Sequence, residues 1–237
     1  LFLELKNHKW FATLFLLNLA LGLTGFIALD GFKRSLDQTL SERSKSVLGG
    51  DLALSSRQAI PESALQKIPN VIEGPIPTSQ TTEVYSMVSN KSGDSKLVQI
   101  KAIEQNYPFY GSLTLQKRGE ITPSTSTDLH STETVWVYPE VLLYLNLEVG
   151  DSIQVGKKSF RISDEILHDP AASITTNMAP RIFISRDHLQ NTGLIQKGSI
   201  AWHSAIYKVP NRSLDELVEI RDQAFDQIAS EQIRVYT

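Results

Sequence analysis

The stretch Gly150-Asp-Ser-Ile-Gln-Val-Gly-Lys-Lys-Ser159 has the residue types of a phosphate cradle. Such a loop needs four residues between its glycines, then lysine followed at once by serine or threonine where a helix begins. Here five residues intervene, Lys158 separates Lys157 from Ser159, and both flanks alternate as strands. The spacing therefore predicts a glycine-lysine hairpin turn instead. The histidines, His8, His130, His168, His188 and His203, show neither an i, i+4 pair nor the His-x-Glu spacing that holds a metal. His168-Asp169-Pro170 reads as a turn before it reads as a ligand pair. No Gly-x-Ser-x-Gly elbow presents a nucleophile, and there is no cysteine to supply a thiolate. Carboxylates are scattered, with no pair spaced for acid–base work. The residues carry no visible catalytic site, metal site or cofactor site.

What the chain does carry is an unusual leading element. Trp10 to Leu29 runs twenty residues without a charge, fifteen of them apolar. At 1.5 Å per helical residue that is roughly 30 Å, the thickness of a bilayer's hydrocarbon core. Its seven Leu, three Phe and one Ile together favour insertion by roughly 3–7 kcal/mol. The spacing of Leu29, Phe32, Leu36 and Leu40, resumed at Val47, continues the helix as a stalk over residues 30–48. Gly49-Gly50 then supplies a stop, since glycine takes the left-handed conformation at little cost. One helix over residues 10–48 would be roughly 58 Å long. A secretory signal would have a shorter apolar region, and Phe26-Ile-Ala-Leu-Asp30 offers no small-x-small cleavage site.

Residues 1–9 read either as a membrane-surface lead-in or as a frayed helix start. Lys6, Lys9, Lys33 and Arg34 flank the span too evenly for the positive-inside rule to orient it. Within the span, Asn18, Gly22 and Gly25 share one face, where small residues and a buried amide would let other membrane helices pack closely. Gly49 and Gly50 have two readings, a hinge between stalk and domain or a plain helix cap. Tyr107, Phe109 and Tyr110 cluster beside Pro108 and Gly111; they touch a ligand or partner if exposed, and otherwise pack on their own domain. The chain opens on Leu1 rather than Met and reads as part of something longer. Its net charge of −3, with no long basic run, argues against nucleic acid as a partner.

Beyond the glycine pair, Asp51 to Ser56 alternates as a strand, and Pro61 to Ile68 is a short helix with proline in its first turn. Thr81 to Val88 and Leu97 to Ile103 form a hairpin around residues 90–95. Gly111 to Ser131 reads as a loop. Strands follow at 134–138, 152–155, 159–166 and 180–185, with a helix at 139–146 and a helical turn at 187–189. From Ala205 the order is strand, helix (213–229) and strand (233–236). Ser213 with Glu216 is a capping box, and Leu214, Leu217, Val218, Phe225 and Ile228 form that helix's expected core face. The class is α+β, with an α/β lobe from residues 49–132 and 203–237 and a β-rich inserted lobe at 133–202.

Six stretches together resemble the YbbP-like branch of the FtsX/MacB family of ABC-transporter permeases. They are Leu48-Gly-Gly-Asp-Leu-Ala-Leu-Ser-Ser56, Asn106-Tyr-Pro-Phe-Tyr-Gly111, Val135-Trp-Val-Tyr-Pro139, Val149-Gly-Asp-Ser-Ile153, Ala179-Pro-Arg-Ile182 and Thr192-Gly-Leu-Ile-Gln-Lys-Gly-Ser199. The resemblance implies a non-catalytic permease subunit, an inner-membrane helix and a two-lobed MacB-like periplasmic domain after about residue 30. It also implies further membrane helices of the same permease and a separate cytoplasmic ATPase that binds ATP and Mg. Transmission of ATP-driven motion, handling of hydrophobic or lipidic compounds, contact with membrane lipid and a periplasmic esterase as partner complete what it implies. Two rivals remain from the residues themselves: a membrane-anchored sensor whose outer domain binds a ligand, and an anchored enzyme.

Overall fold

In the computed structural model, which describes residues 9–72, 74–121, 126–171, 179–196, 198–228 and 233–237, Lys9–Leu48 forms one unbroken 40-residue helix, α1. No proline interrupts it, and side chains tie its turns together: Thr24 Oγ1 donates to Ala20 O at 2.7 Å and Asp30 pairs with Arg34 at 2.9 Å. Among the described residues it is the one helix long and apolar enough to cross a membrane. Among the described residues, large apolar side chains along its apolar run are exposed, such as Leu21 (69%) and Phe26 (72%). The lead-in at residues 1–8 lies outside the described residues.

Two units are distinguishable, residues up to Arg43 and Ser44–Thr237. The second holds the last turn of α1, and its strands alternate into two cores. β1 (Leu52–Ser56), β2 (Thr78–Ser89), β10 (Ala201–Tyr207) and β11 (Arg234–Tyr236) form an antiparallel sheet in the order β11-β1-β10-β2. Leu52, Leu54, Ala205 and Tyr207 turn one face toward α2 (Glu62–Leu65), α3 (Lys67–Ile72) and α7 (Leu214–Ile228). Period-2 alternation then sends Ala53, Ser55, Ser204 and Ile206 to the opposite face.

β2 continues past β10 and pairs with β3 (Ser95–Ile103), the expected hairpin, with Ser89 opposite Ser95. From β3 the ladder passes to β9 (Arg181–Ser185), β6 (Thr134–Val137), β8 (Lys158–His168) and β7 (Ser152–Val155), and β7 returns to β2 through Val88↔Val155. Six strands thus close into a small barrel. Its interior is filled by alternating residues including Val98, Ile100, Ile182, Val135, Phe160 and Ile153, with Val141 and Leu145 of α5 (Pro139–Leu145) in the same core. Closure leaves no free edge in this ring. Its strands come from both sides of residue 133, and β2 belongs to the helix-backed sheet as well.

Three local expectations are corrected. Gly111–Ser131 is not a plain loop: β4 (Leu113–Leu115) and β5 (Gly119–Ile121) form a hairpin on β8, followed by α4 (Thr127–Ser131). Leu113, Leu115, Ile121 and Leu129 drive this by burying against Trp136 and Phe183 in a third core, a pattern masked by surrounding Ser, Thr and Gly. The helix expected at 61–68 is split into α2 and α3. In α7 the buried positions are Leu217, Ala224 and Ile228, while Leu214 and Phe225 are half exposed; a 3.6-residue period from Leu217 reaches 224 and 228, not 214 or 225. The capping box is present, with Glu216 N–H donating to Ser213 Oγ at 3.3 Å and Ser213 N–H to Glu216 Oε2 at 2.7 Å.

Candidate coupling site at the end of the long helix

The residues singled out at Gly49-Gly50 and at Tyr107 to Tyr110 meet where α1 ends. Gly49 has φ +76°, and its N–H closes the helix on Lys45 O at 2.8 Å. Its carbonyl accepts the Phe109 N–H at 2.8 Å. A Cβ on Gly49 would lie 3.1 Å from the Tyr107 ring, and one on Gly50 would lie 2.3 Å from Ile206 Cγ2. A Cβ on Gly111 would lie 2.5 Å from Ser46 Oγ. The glycines therefore let the chain pass tightly between the 107–111 loop and β10, and both Gly49 and Gly50 are buried.

Asp51 fastens this crossing. Its side chain is 0% exposed and faces three donors: Lys45 Nζ at 2.8 Å from Oδ1, and the Tyr110 hydroxyl and Val209 N–H, each 2.8 Å from Oδ2. One carboxylate thereby ties the last turn of α1, the 107–111 loop and the segment after β10. Lys45 and Lys208 lie over the Tyr110 ring at 5.6 and 5.4 Å. Burial, and then the hydrogen bond and charge of Asp51, push the Tyr110 phenol up to about 12.

The rings thus pack inward. Tyr107, expected as a contact residue if exposed, is 3% exposed and sits under Lys101 Nζ at 4.7 Å. Phe109 joins the third core, and Tyr110 spends its hydroxyl on Asp51. Burial of these rings against the domain removes Tyr107 as a surface for any partner. Asn18, Gly22 and Gly25 lie on α1 with Asn18 exposed and nothing within 4 Å of a Cβ at either glycine.

Beside the clamp, on the sheet face opposite α7, lies a chain of buried polar groups missed in the sequence. Lys101 pairs with Glu83 at 3.1 Å, Gln99 donates to Glu83 at 2.7 Å, and Arg181 donates to Gln99 at 3.0 Å and to Asp169 at 2.5 Å. The Tyr138 hydroxyl also donates to Asp169, at 3.0 Å. Burial raises the Glu83 carboxyl, but Lys101 and Arg181 outweigh it and hold it below its usual range. Burial likewise opposes the Arg181 cation, and Asp169 and Glu83 overcome it. Each charge is compensated, and the network links β2, β3 and β9 with the segments that follow β6 and β8. Asp169 is the carboxylate of the turn read at His168-Asp169-Pro170. Its pairing with Arg181 twelve residues on has no local signature, although Tyr138 and Arg181 both sit in the family-like motifs.

Ser185 Oγ lies 2.8 Å from His130 Nδ1, a nucleophile–base spacing. Ser185 is 0% exposed, and its Oγ accepts the Asp187 N–H at 3.2 Å as the cap of α6 (Arg186–Leu189); the pair is a buried structural bond. Among the described residues no cluster of His, Asp or Glu is arranged for a metal.

The α+β domain, with its open sheet and inserted barrel, has the fold of periplasmic domains from MacB-type permeases. It superposes on the periplasmic region of MacB from Actinobacillus actinomycetemcomitans with a TM-score of 0.50 at 11% identity, covering 81% of this chain and 91% of that one. The extracellular domain of the ABC-type transporter YknZ from Gram-positive bacteria gives a TM-score of 0.52 at 11% identity, over 75% and 89% of the two chains. In sequence, the chain is similar to the uncharacterized ABC transporter permease YbbP of Escherichia coli (strain K12), 28% identical over 188 residues, which is 78% of this chain. The chain spans 22% of that relative's length, and the resemblance drawn from the motifs holds over this stretch. No family model matches.

Proposed function

We propose that this chain is part of the permease of an ABC transporter and passes motion between a membrane helix and an extracytoplasmic domain. The carrying observation is the Asp51 clamp: a displacement of the last turn of α1 reaches the 107–111 loop and β10 through one buried carboxylate and two close-packed glycines. On this reading Gly49 and Gly50 form a stiff joint, and any bending occurs elsewhere. The names of the relatives support a transporter setting. ATP and Mg belong on a separate cytoplasmic ATPase, the helix sits in the inner membrane, and the domain lies in the periplasm. The Asn18, Gly22 and Gly25 face receives other helices of the same permease. Hydrophobic or lipidic cargo, and an esterase working beside the domain, rest on the family resemblance alone.

The test is affinity capture of the natural full-length protein, in detergent, from cells that produce it. Co-purification of an ATP-hydrolysing subunit is expected, with ATPase turnover altered by Lys45→Ala, which loosens the clamp mildly, while the complex stays intact. Capture of no such subunit, or of a kinase or cyclase module on the same chain, overturns the proposal.

A further inference from the structure

The sheet face that carries Ser55 and Ser204 holds a second feature, which the clamp does not use. Register sets Ser55 beside both Ser204 and Arg234, and Ala53 beside Tyr236. At this end of the face a cavity of about 520 Å³ is lined by Ser55, Ser56, Arg57, Trp202, Arg234 and Tyr236. Among the described residues its lining has two guanidinium groups and no carboxylate. Among the described residues neither arginine makes an ion pair, and the contact of Arg57 is with the Trp202 ring, 6.0 Å from its centroid. Trp202 is itself fixed edge-on against Tyr85, at 6.0 Å and 84°. Ser56 Oγ accepts the Gln58 N–H at 3.1 Å and so holds the turn that carries Arg57.

Two cations with no ion-pair partner among the described residues share one concavity, in a chain of net charge −3. A neighbouring 260 Å³ depression shares Ser55 and Tyr236 with this cavity and is lined by Lys101 and Arg181. Its cations are already spent, on Glu83 and Asp169. Anion preference therefore belongs to the Arg57–Arg234 end.

We propose that this cavity binds a small anion bearing a flat apolar group, of the aryl phosphate or aryl carboxylate kind. The guanidinium forks match two oxygens of a phosphate or carboxylate. Trp202 and Tyr236 supply faces for the apolar part and the serine hydroxyls further donors. The volume suits a small ligand rather than a macromolecular surface. The anion can come from a soluble metabolite or from a phospholipid headgroup, and the chemistry of recognition is the same.

The test is tryptophan fluorescence of the full chain in detergent, titrated with phenyl phosphate, inorganic phosphate, benzyl alcohol and dihexanoyl phosphatidylglycerol. Trp136 is 0% exposed, and Trp202→Phe identifies the responding indole. Phenyl phosphate is expected to give a saturable change that benzyl alcohol does not, with affinity about tenfold lower in Arg57→Ala and in Arg234→Ala, the effect of losing one charged hydrogen bond. Both arginines are exposed, so unchanged thermal midpoints will show that the variants fold. Arginine-sensitive binding of dihexanoyl phosphatidylglycerol as well supports the site and assigns a headgroup; binding of phenyl phosphate without the lipid supports it and assigns a soluble anion. No saturable change overturns the proposal. So does equal affinity for inorganic and phenyl phosphate, or binding indifferent to both arginine substitutions.

Discussion

Replacing Asp51 by alanine is the most direct trial of the clamp. The side chain is fully buried and serves Lys45, Tyr110 and Val209 at 2.8 Å each. A hydrogen bond to a charged group contributes about 1.5–3 kcal/mol. The Lys45 side chain is 29% exposed and can return its ammonium to water, so its share is nearer ~1 kcal/mol. Val209 N–H is buried and has nowhere else to go. The sum for Asp51→Ala is about 4–7 kcal/mol, at or above the scale of breaking a buried charged pair from one side. Asp51→Asn keeps one acceptor and should cost about 1–3 kcal/mol, and Lys45→Ala only ~1 kcal/mol. Since a domain is stable by about 5–15 kcal/mol in all, the alanine variant should lose a large part of that margin. Urea unfolding of the full chain in detergent, followed through buried Trp136, gives the ranking. Amide exchange at Phe109, whose N–H bonds Gly49 O, reports whether the crossing opens locally first. A cost below ~1 kcal/mol for Asp51→Ala, or a larger cost for Lys45→Ala, would refute the reasoning.

Gly50→Ala should destabilise by about 1–3 kcal/mol through overpacking against Ile206, whereas Gly22→Ala, with open space around it, should be neutral or slightly stabilising in the same unfolding assay. Tyr110 should titrate spectroscopically near 12 rather than 10; because its folded value is raised, the stability tied to it is intact below pH 10 and drains as pH rises toward 12. Asp51→Asn should lower that titration part of the way, since burial remains. Asp169→Ala removes the carboxylate paired with the buried Arg181 and should cost about 3–5 kcal/mol. Glu83 has a lowered pKa, so its contribution is present above its ordinary value of 4.5 and is lost as pH falls through the lowered one, visible as a steepened acid limb that Glu83→Gln removes.

Local rules exposed much of this architecture. The uninterrupted apolar run gave α1, Gly49 gave its end, and Ser213 with Glu216 gave the start of α7. The barrel was hidden because its closure depends on β2 meeting β7, and Val88 and Val155 are distant partners with no sequence mark. The clamp was half visible. Two glycines and three rings stood out by type, but Asp51 looked like the first residue of an ordinary strand, since its partners at 45, 110 and 209 are brought together only by folding. Phe225 misled in the other direction: an aromatic on an amphipathic helix suggested core, yet its angular position leaves it at the rim. Leu113 and Leu115 were lost among hydroxyl residues that resembled a linker.

The pairing of Ala53 with Tyr236 carries a mechanical consequence. It puts the strand leading in from α1 and the last strand side by side, running in opposite directions with their outer ends together. Tension applied across those two ends would unzip β11, held by only the three register pairs Ala53–Tyr236, Leu54–Val235 and Ser55–Arg234, one rung after another. A short strand at this position is the part of the sheet that such a pull would release first.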